Sequence, residues 1–177
     1  MNKPSVKYYN QESERLIFRA IKMDDAVRWS SFFINNPTQK YVGTDQLRIP
    51  PLEKAQKWLG MQIKRQKNKT YGQLAVIDKN TNRFIGVGGI IERNIKQSKE
   101  YEITYSLLPS SWGKGFATEL ALHFKKYAFE NIKTNSVISM IHKENKASIN
   151  VAIKNGMSQS DEINFMEMDL FIYSVNS

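Results

Sequence analysis

Residues 101–130 read YEITYSLLPSSWGKGFATELALHFKKYAFE, and here an apolar strand pattern runs through a Gly-Lys-Gly turn directly into an amphipathic helix pattern. No other stretch constrains the chain as much. Gly113 and Gly115 have no Cβ, so the turn accepts positive φ and brings its backbone close to a ligand. The N–H groups of residues 113–118 then precede or open a helix, where no internal acceptor exists for them. Several such dipoles converging on one point favour a diphosphate. The turn lacks the eight-residue spacing and Lys-Ser/Thr ending of a nucleotide P-loop, and it is not GxGxxG, so neither the NTPase nor the dinucleotide motif fits.

A chain of 177 residues suits one domain, 1–177, with its core between about 14 and 173. No repeat or low-complexity tract divides it. The absence of a run of about 18 apolar residues and of a basic-then-apolar leader predicts a protein that is cytoplasmic and does not enter a membrane. Zero cysteines exclude disulfides, thiolate metal sites and a Cys nucleophile. The formal charge of +9 attracts polyanions but does not choose among them. Lys54, Lys57, Lys64, Arg65, Lys67 and Lys69 fall on one expected helix, read first as a solvated face and second as a nucleic-acid surface.

Residues 15–21 alternate as a strand, and Asp24 is the expected N-cap of a helix carrying Val27, Trp29 and Phe33. Pro50-Pro51-Leu52-Glu53 opens a second helix, to about residue 66, with proline and an acid in its first turn. Between the two helices, residues 35–49 form the expected substrate-side loop. Residues 71–77 and 83–93 are apolar and β-branched on either side of a polar turn, which predicts an antiparallel hairpin. Residues 100–108 make the next strand, and 116–129 a helix that places Phe116, Leu120, Phe124 and Tyr127 on its core face. A strand over 137–141, a helix over 147–154 stopped by Asn155-Gly156, and one or two strands over 162–175 complete the order βααββββαβαββ, give or take a strand. This is an α+β fold in three layers, with a mixed central sheet.

Four segments in order carry a family resemblance: Glu14-Arg15-Leu16-Ile17-Phe18-Arg19, Phe84-Ile85-Gly86-Val87-Gly88-Gly89, Trp112-Gly113-Lys114-Gly115-Phe116-Ala117, and Asn145-Lys146-Ala147-Ser148 followed by Lys154-Asn155-Gly156-Met157. They resemble the ERLxLR, FIGxxG, acyl-CoA-loop and NxxS…KxGF segments of the GNAT N-acetyltransferase superfamily, most of all its ribosomal-protein N-terminal acetyltransferase (RimJ/RimL-like) branch. Trp112 stands where the superfamily more often has Arg or Gln, and Met157 where Phe is usual. The resemblance implies a GNAT-like fold whose largely antiparallel sheet splays to form an acyl-CoA cleft. It implies acetyl-CoA as cosubstrate, no metal, and direct acetyl transfer to an amine.

The site residues follow from that resemblance. Glu102 is the expected catalytic base, or else a strand carboxylate that orients substrate or faces solvent. Backbone groups of Ser106, Leu107 and Leu108 are expected to pair with the pantetheine arm, with Leu107 or Leu108 supplying an oxyanion donor. Gly113, Lys114, Gly115, Phe116, Ala117 and Thr118 are expected to hold the diphosphate, Lys114 either adding charge or lying free in solvent. Many superfamily members carry a Tyr acid near the last helix, and 145–153 contains none. Ser148 is the expected substitute donor to the sulfur and Asn145 a pantetheine contact; both also suit a helix cap. His123 and His142, with no second ligand at metal spacing, read as structural. The expected acceptor is a protein N-terminal amine, with a polyamine or antibiotic amine, or a non-catalytic CoA-binding or RNA-associated module, as alternatives. Ribosomal association, and monomer against homodimer, stay open.

Overall fold

The computed structural model describes residues 4–44 and 48–177, and in them eight strands form one sheet. These are β1 (Asn10–Glu12), β2 (Leu16–Arg19), β3 (Gln73–Asp78), β4 (Arg83–Ile95), β5 (Ser98–Leu107), β6 (Ser136–His142), β7 (Ser158–Phe165) and β8 (Met168–Asn176), ordered β1-β2-β3-β4-β5-β6-β8-β7. Every neighbouring pair is antiparallel except β5 with β6. The helices are α1 (Asp25–Trp29), α2 (Pro51–Lys67), α3 (Phe116–Tyr127) and α4 (Lys146–Lys154). No described helix is long and apolar enough to cross a membrane.

Two helical layers cover the two faces of the sheet, which is why β3 is buried at every position. Successive side chains of a strand point to opposite faces, so Leu74 and Val76 join the α3 side while Ala75 and Ile77 join the α1–α2 side. On the α3 side Phe116, Leu120 and Phe124, at helical spacing, pack with Phe18, Ile90 and Ile103. Gly88 lets α3 approach: a Cβ there would stand 2.6 Å from a Leu120 methyl. The other side is aromatic, with Trp29 stacked on Phe32 at 4.5 Å and edge-on to Trp58 at 5.6 Å.

The element order differs from the expected one in one place. Three strands, not four, lie between α2 and α3, and the remaining strand is β1, ahead of β2. β1 is polar and carries no strand pattern; it pairs because the preceding turn buries Tyr8 completely. The Tyr8 hydroxyl donates to the Gly72 carbonyl at 2.6 Å and accepts from the Ile90 amide at 2.8 Å. Gly72 and Ile90 are where the next β3–β4 rung would fall, so one phenol replaces a ladder bond as the strands part. Tyr8→Phe strands two buried backbone groups and is expected to cost about 2 kcal/mol, lowering the melting temperature by about 4–8 °C in a thermal scan.

Asp24 is also not the cap expected of it. It makes no side-chain cap bond, whereas the Asp25 carboxylate accepts from the Lys22 amide at 2.9 Å and pairs with Arg19 at 2.6 Å.

Candidate active site

β5 and β6 meet at a single parallel pair, Glu102 with Ile138, and then separate. The Ser139 hydroxyl donates to the Ile103 carbonyl at 2.9 Å, a side chain standing in for the first missing ladder bond. Beyond it opens a cleft of about 340 Å³ lined on one wall by Tyr105, Ser106 and Leu107. The antiparallel register with β4 decides which backbone groups face this gap. Leu108 donates to Ile85 at 2.8 Å, so amides alternate and those of Ser106 and Leu108 point to β4, while those of Tyr105 and Leu107 point to the cleft. Leu108 is thereby removed as an oxyanion donor, and Leu107 is left. The Leu107 carbonyl, on the same side, accepts the Trp112 indole N–H at 2.8 Å, so Trp112 closes the end of the strand.

Beyond Trp112 the turn is built as the glycines require. Gly113 has φ +73° and Gly115 φ +78°, the left-handed conformation that a side chain disfavours. Gly115 caps α3, whose first internal bond runs from the Glu119 amide to the Gly115 carbonyl at 3.1 Å. Among the described residues no protein acceptor pairs with the amides of 113–118. Gly113, Gly115, Phe116, Ala117 and Thr118 line the cleft, and Lys114 does not. The Lys114 ammonium turns back to the Ser110 carbonyl at 3.0 Å. The turn therefore offers backbone N–H groups at a helix N-terminus, the donor set that holds phosphate oxygens.

The opposite wall is α4. Asn145 caps it, its side chain accepting from the Ser148 amide at 3.2 Å, and both residues line the cleft. Tyr105, which sequence reasoning missed, reaches across from β5 and its hydroxyl donates to the Ser148 carbonyl at 3.4 Å. Burial pushes the Tyr105 phenol up, so it remains a proton donor throughout the physiological range. Its signal was available: two residues before Leu107 in the same strand, it must share that residue's face.

Glu102 lies outside this lining. It is buried, and its carboxylate accepts from Arg93 Nε at 2.7 Å. Burial raises its pKa in spite of Arg93. His123 is held against Gln11 at 3.0 Å and stacked on Phe18 at 4.8 Å, with its pKa lowered by burial. His142 accepts the Glu144 amide at 3.2 Å and lies 5.0 Å from the Tyr41 ring. Of the expected substrate-side loop, residues 45–47 lie outside the described residues; Thr38, Tyr41 and Val42, with Phe32, close the far end of the cleft. The Lys40–Glu144 pair at 2.7 Å ties that segment to the turn before α4. Lys54 and Lys57 of the basic helix are occupied, Lys54 by the Thr44 carbonyl and Lys57 by Glu53. Among the described residues no group of three acids or histidines is placed to hold a metal.

A sheet that splays beside a glycine turn of free amides defines an acyltransferase cleft. The acetyltransferase (GNAT) domain model matches residues 15–158, and the chain belongs to that family. YkkB, an uncharacterized protein of Bacillus subtilis (strain 168), is 26% identical over 165 residues, spanning 93% of this chain and 94% of YkkB. An acetyltransferase from Agrobacterium tumefaciens str. C58 superposes with a TM-score of 0.77 at 22% identity, over 95% of this chain and 94% of its own. RimL, a ribosomal L7/L12 alpha-N-protein acetyltransferase solved in complex with coenzyme A, superposes with a TM-score of 0.72 at 17% identity, over 93% and 95% of the two chains. The chain is thus an acetyltransferase of GNAT fold.

Proposed function

We propose that this protein is an acetyl-CoA-dependent N-acetyltransferase of the RimJ/RimL-like branch that moves the acetyl group directly onto an amine, in the first instance a protein N-terminal α-amine. The observation that carries the reading is the continuity of two backbone surfaces. The gap-facing groups of Tyr105 and Leu107 run on into the free amides of 113–118, so an amide-bearing arm and the diphosphate that follows it are met in sequence. The neutral amine attacks the thioester carbonyl; the C–N bond forms, the C–S bond breaks, CoA leaves as thiolate, and the nitrogen's extra proton passes through solvent water to that thiolate, giving the amide and the CoA thiol. The Leu107 amide supports the oxygen as charge develops on it. Ser148 donates toward the sulfur, and a thiol of pKa near 8.5 departs without a stronger acid.

Charge supports an α-amine as the acceptor. Among the described residues the lining holds one full charge, Lys154, and neither carboxylate nor imidazole. An amine therefore enters best already neutral, which an α-amine of pKa near 8 does far more readily than a lysine near 10.4. We assign Glu102 to the joint between β5 and β6, where Arg93 holds it, and not to proton abstraction. Acetyl-CoA turnover with a panel of N-terminal peptides, set against spermidine and Nα-acetyl-lysine, tests the reading. Peptide turnover well above both is the expected result; CoA binding with no turnover on any amine would reassign the chain as a binding module.

A further inference from the structure

The diphosphate turn does not hold its own shape, and the residue that holds it comes from the other end of the chain. Arg15, just before β2, makes four contacts with the turn and the helix behind it. Its Nε donates to Glu119 Oε2 at 2.7 Å, and its backbone amide to Glu119 Oε1 at 2.8 Å. Its Nη1 donates to the Lys114 carbonyl at 2.9 Å, and the guanidinium lies over the Phe116 ring at 4.8 Å. Ser13 completes the anchor with a 2.6 Å bond to the same Glu119 oxygen. Burial opposes the charge on Glu119, but Ser13 and the two Arg15 donors outweigh it and keep the carboxyl below its ordinary pKa.

The bond to Lys114 has a directional consequence. In a trans peptide the carbonyl oxygen and the following N–H point opposite ways. Drawing the Lys114 carbonyl onto Arg15 therefore turns the Gly115 N–H away from Arg15, toward the cleft that Gly115 lines and Lys114 does not. Phe116, beneath the guanidinium, carries the next amide of the set. We infer that Arg15 is a positioning residue for the anion site: through Lys114 and Phe116 it aims the amides that receive the diphosphate, and Glu119 holds it in place to do so. The inference rests on the acetyl-CoA reading above and goes beyond it by adding a residue that need not touch the ligand.

Two features of arginine are needed together, a fork that spans Glu119 and Lys114 and a flat face for Phe116. Lysine keeps the charge but satisfies one anchor at a time. The test is calorimetric binding of CoA and of pantetheine, which lacks the diphosphate, to wild type, Arg15→Lys and Arg15→Met. Both variants are expected to bind CoA about tenfold or more weakly, the scale of losing a charge-assisted hydrogen bond, with pantetheine affinity unchanged. The kinetic counterpart is a raised KM for acetyl-CoA at nearly constant kcat. Arg15→Lys matching wild type would show that charge alone matters and overturn the inference, as would equal losses for CoA and pantetheine. Wild-type protein that binds no CoA would overturn the cofactor reading itself, a result separate from either of these.

Discussion

Gly115→Val is expected to raise the KM for acetyl-CoA about a hundredfold while lowering the melting temperature by only a few degrees. A left-handed conformation costs an ordinary L-residue about 1–2 kcal/mol and a β-branched one more. Gly115 sits at φ +78°, with Arg15 Nη2 3.4 Å from where a Cβ would stand. Without ligand the turn can relieve this strain by letting the exposed Arg15–Lys114 bond slip, because its amides hold no protein partner. Binding requires them to converge again, so the penalty of about 2–3 kcal/mol falls on affinity. Gly113, at φ +73° with open space around it, makes the graded control: Gly113→Ala is expected to raise KM about tenfold. Wild-type KM in Gly115→Val would mean that no diphosphate rests on these amides.

The second large effect concerns stability and decides between two roles for Glu102. Arg93→Ala leaves a carboxylate with 5% of its surface exposed, its direct ion-pair partner gone and only the charge of Arg65 still acting on it, and such a broken pair costs about 3–5 kcal/mol. A drop of about 10 °C in melting temperature is expected. Glu102→Gln keeps the shape and removes the charge, and its kcat is expected to stay within about tenfold of wild type, whereas loss of a true general base costs a hundredfold or more. The pH dependence has a definite sign. Because the folded protein holds the Glu102 proton more tightly than the unfolded chain, this group's contribution is full below the unfolded value near 4.3 and is lost as pH rises through the raised folded value. Chemical denaturation across that window should therefore show a decline in wild type that Glu102→Gln lacks.

What could be read from the residues divides by distance along the chain. The turn at 113–115, the hairpin of β3 with β4, and helices α2 and α3 follow from local signals: glycines at positive φ, period-two and helical apolar spacing, and proline in a first turn. The Arg93–Glu102 pair was legible in principle, since Glu102 stands opposite Ile91 and Arg93 is its diagonal neighbour on the same face. The alternation that spares Leu107 and commits Leu108 needed the β4–β5 register and not just the existence of both strands. Arg15 and Glu119 are 104 positions apart, and no local pattern reports on such a pair. β1 was hidden for a related reason, because a three-residue polar strand forms only where Tyr8 is buried under the sheet.

The splay between β5 and β6 has a consequence for how such a chain changes over generations. A cosubstrate arm recognised through peptide groups is largely indifferent to the residues that carry those groups, so most positions around it can drift without penalty. On the cofactor reading proposed above, the carrier side would be sensitive chiefly at Gly113, Gly115 and Arg15, where backbone conformation and its anchor are set by particular residues. The wall of Phe32, Tyr41 and Val42, by contrast, faces the cleft with side chains, so on the same reading a handful of substitutions there would change the diet of the enzyme while its fuel line stays the same.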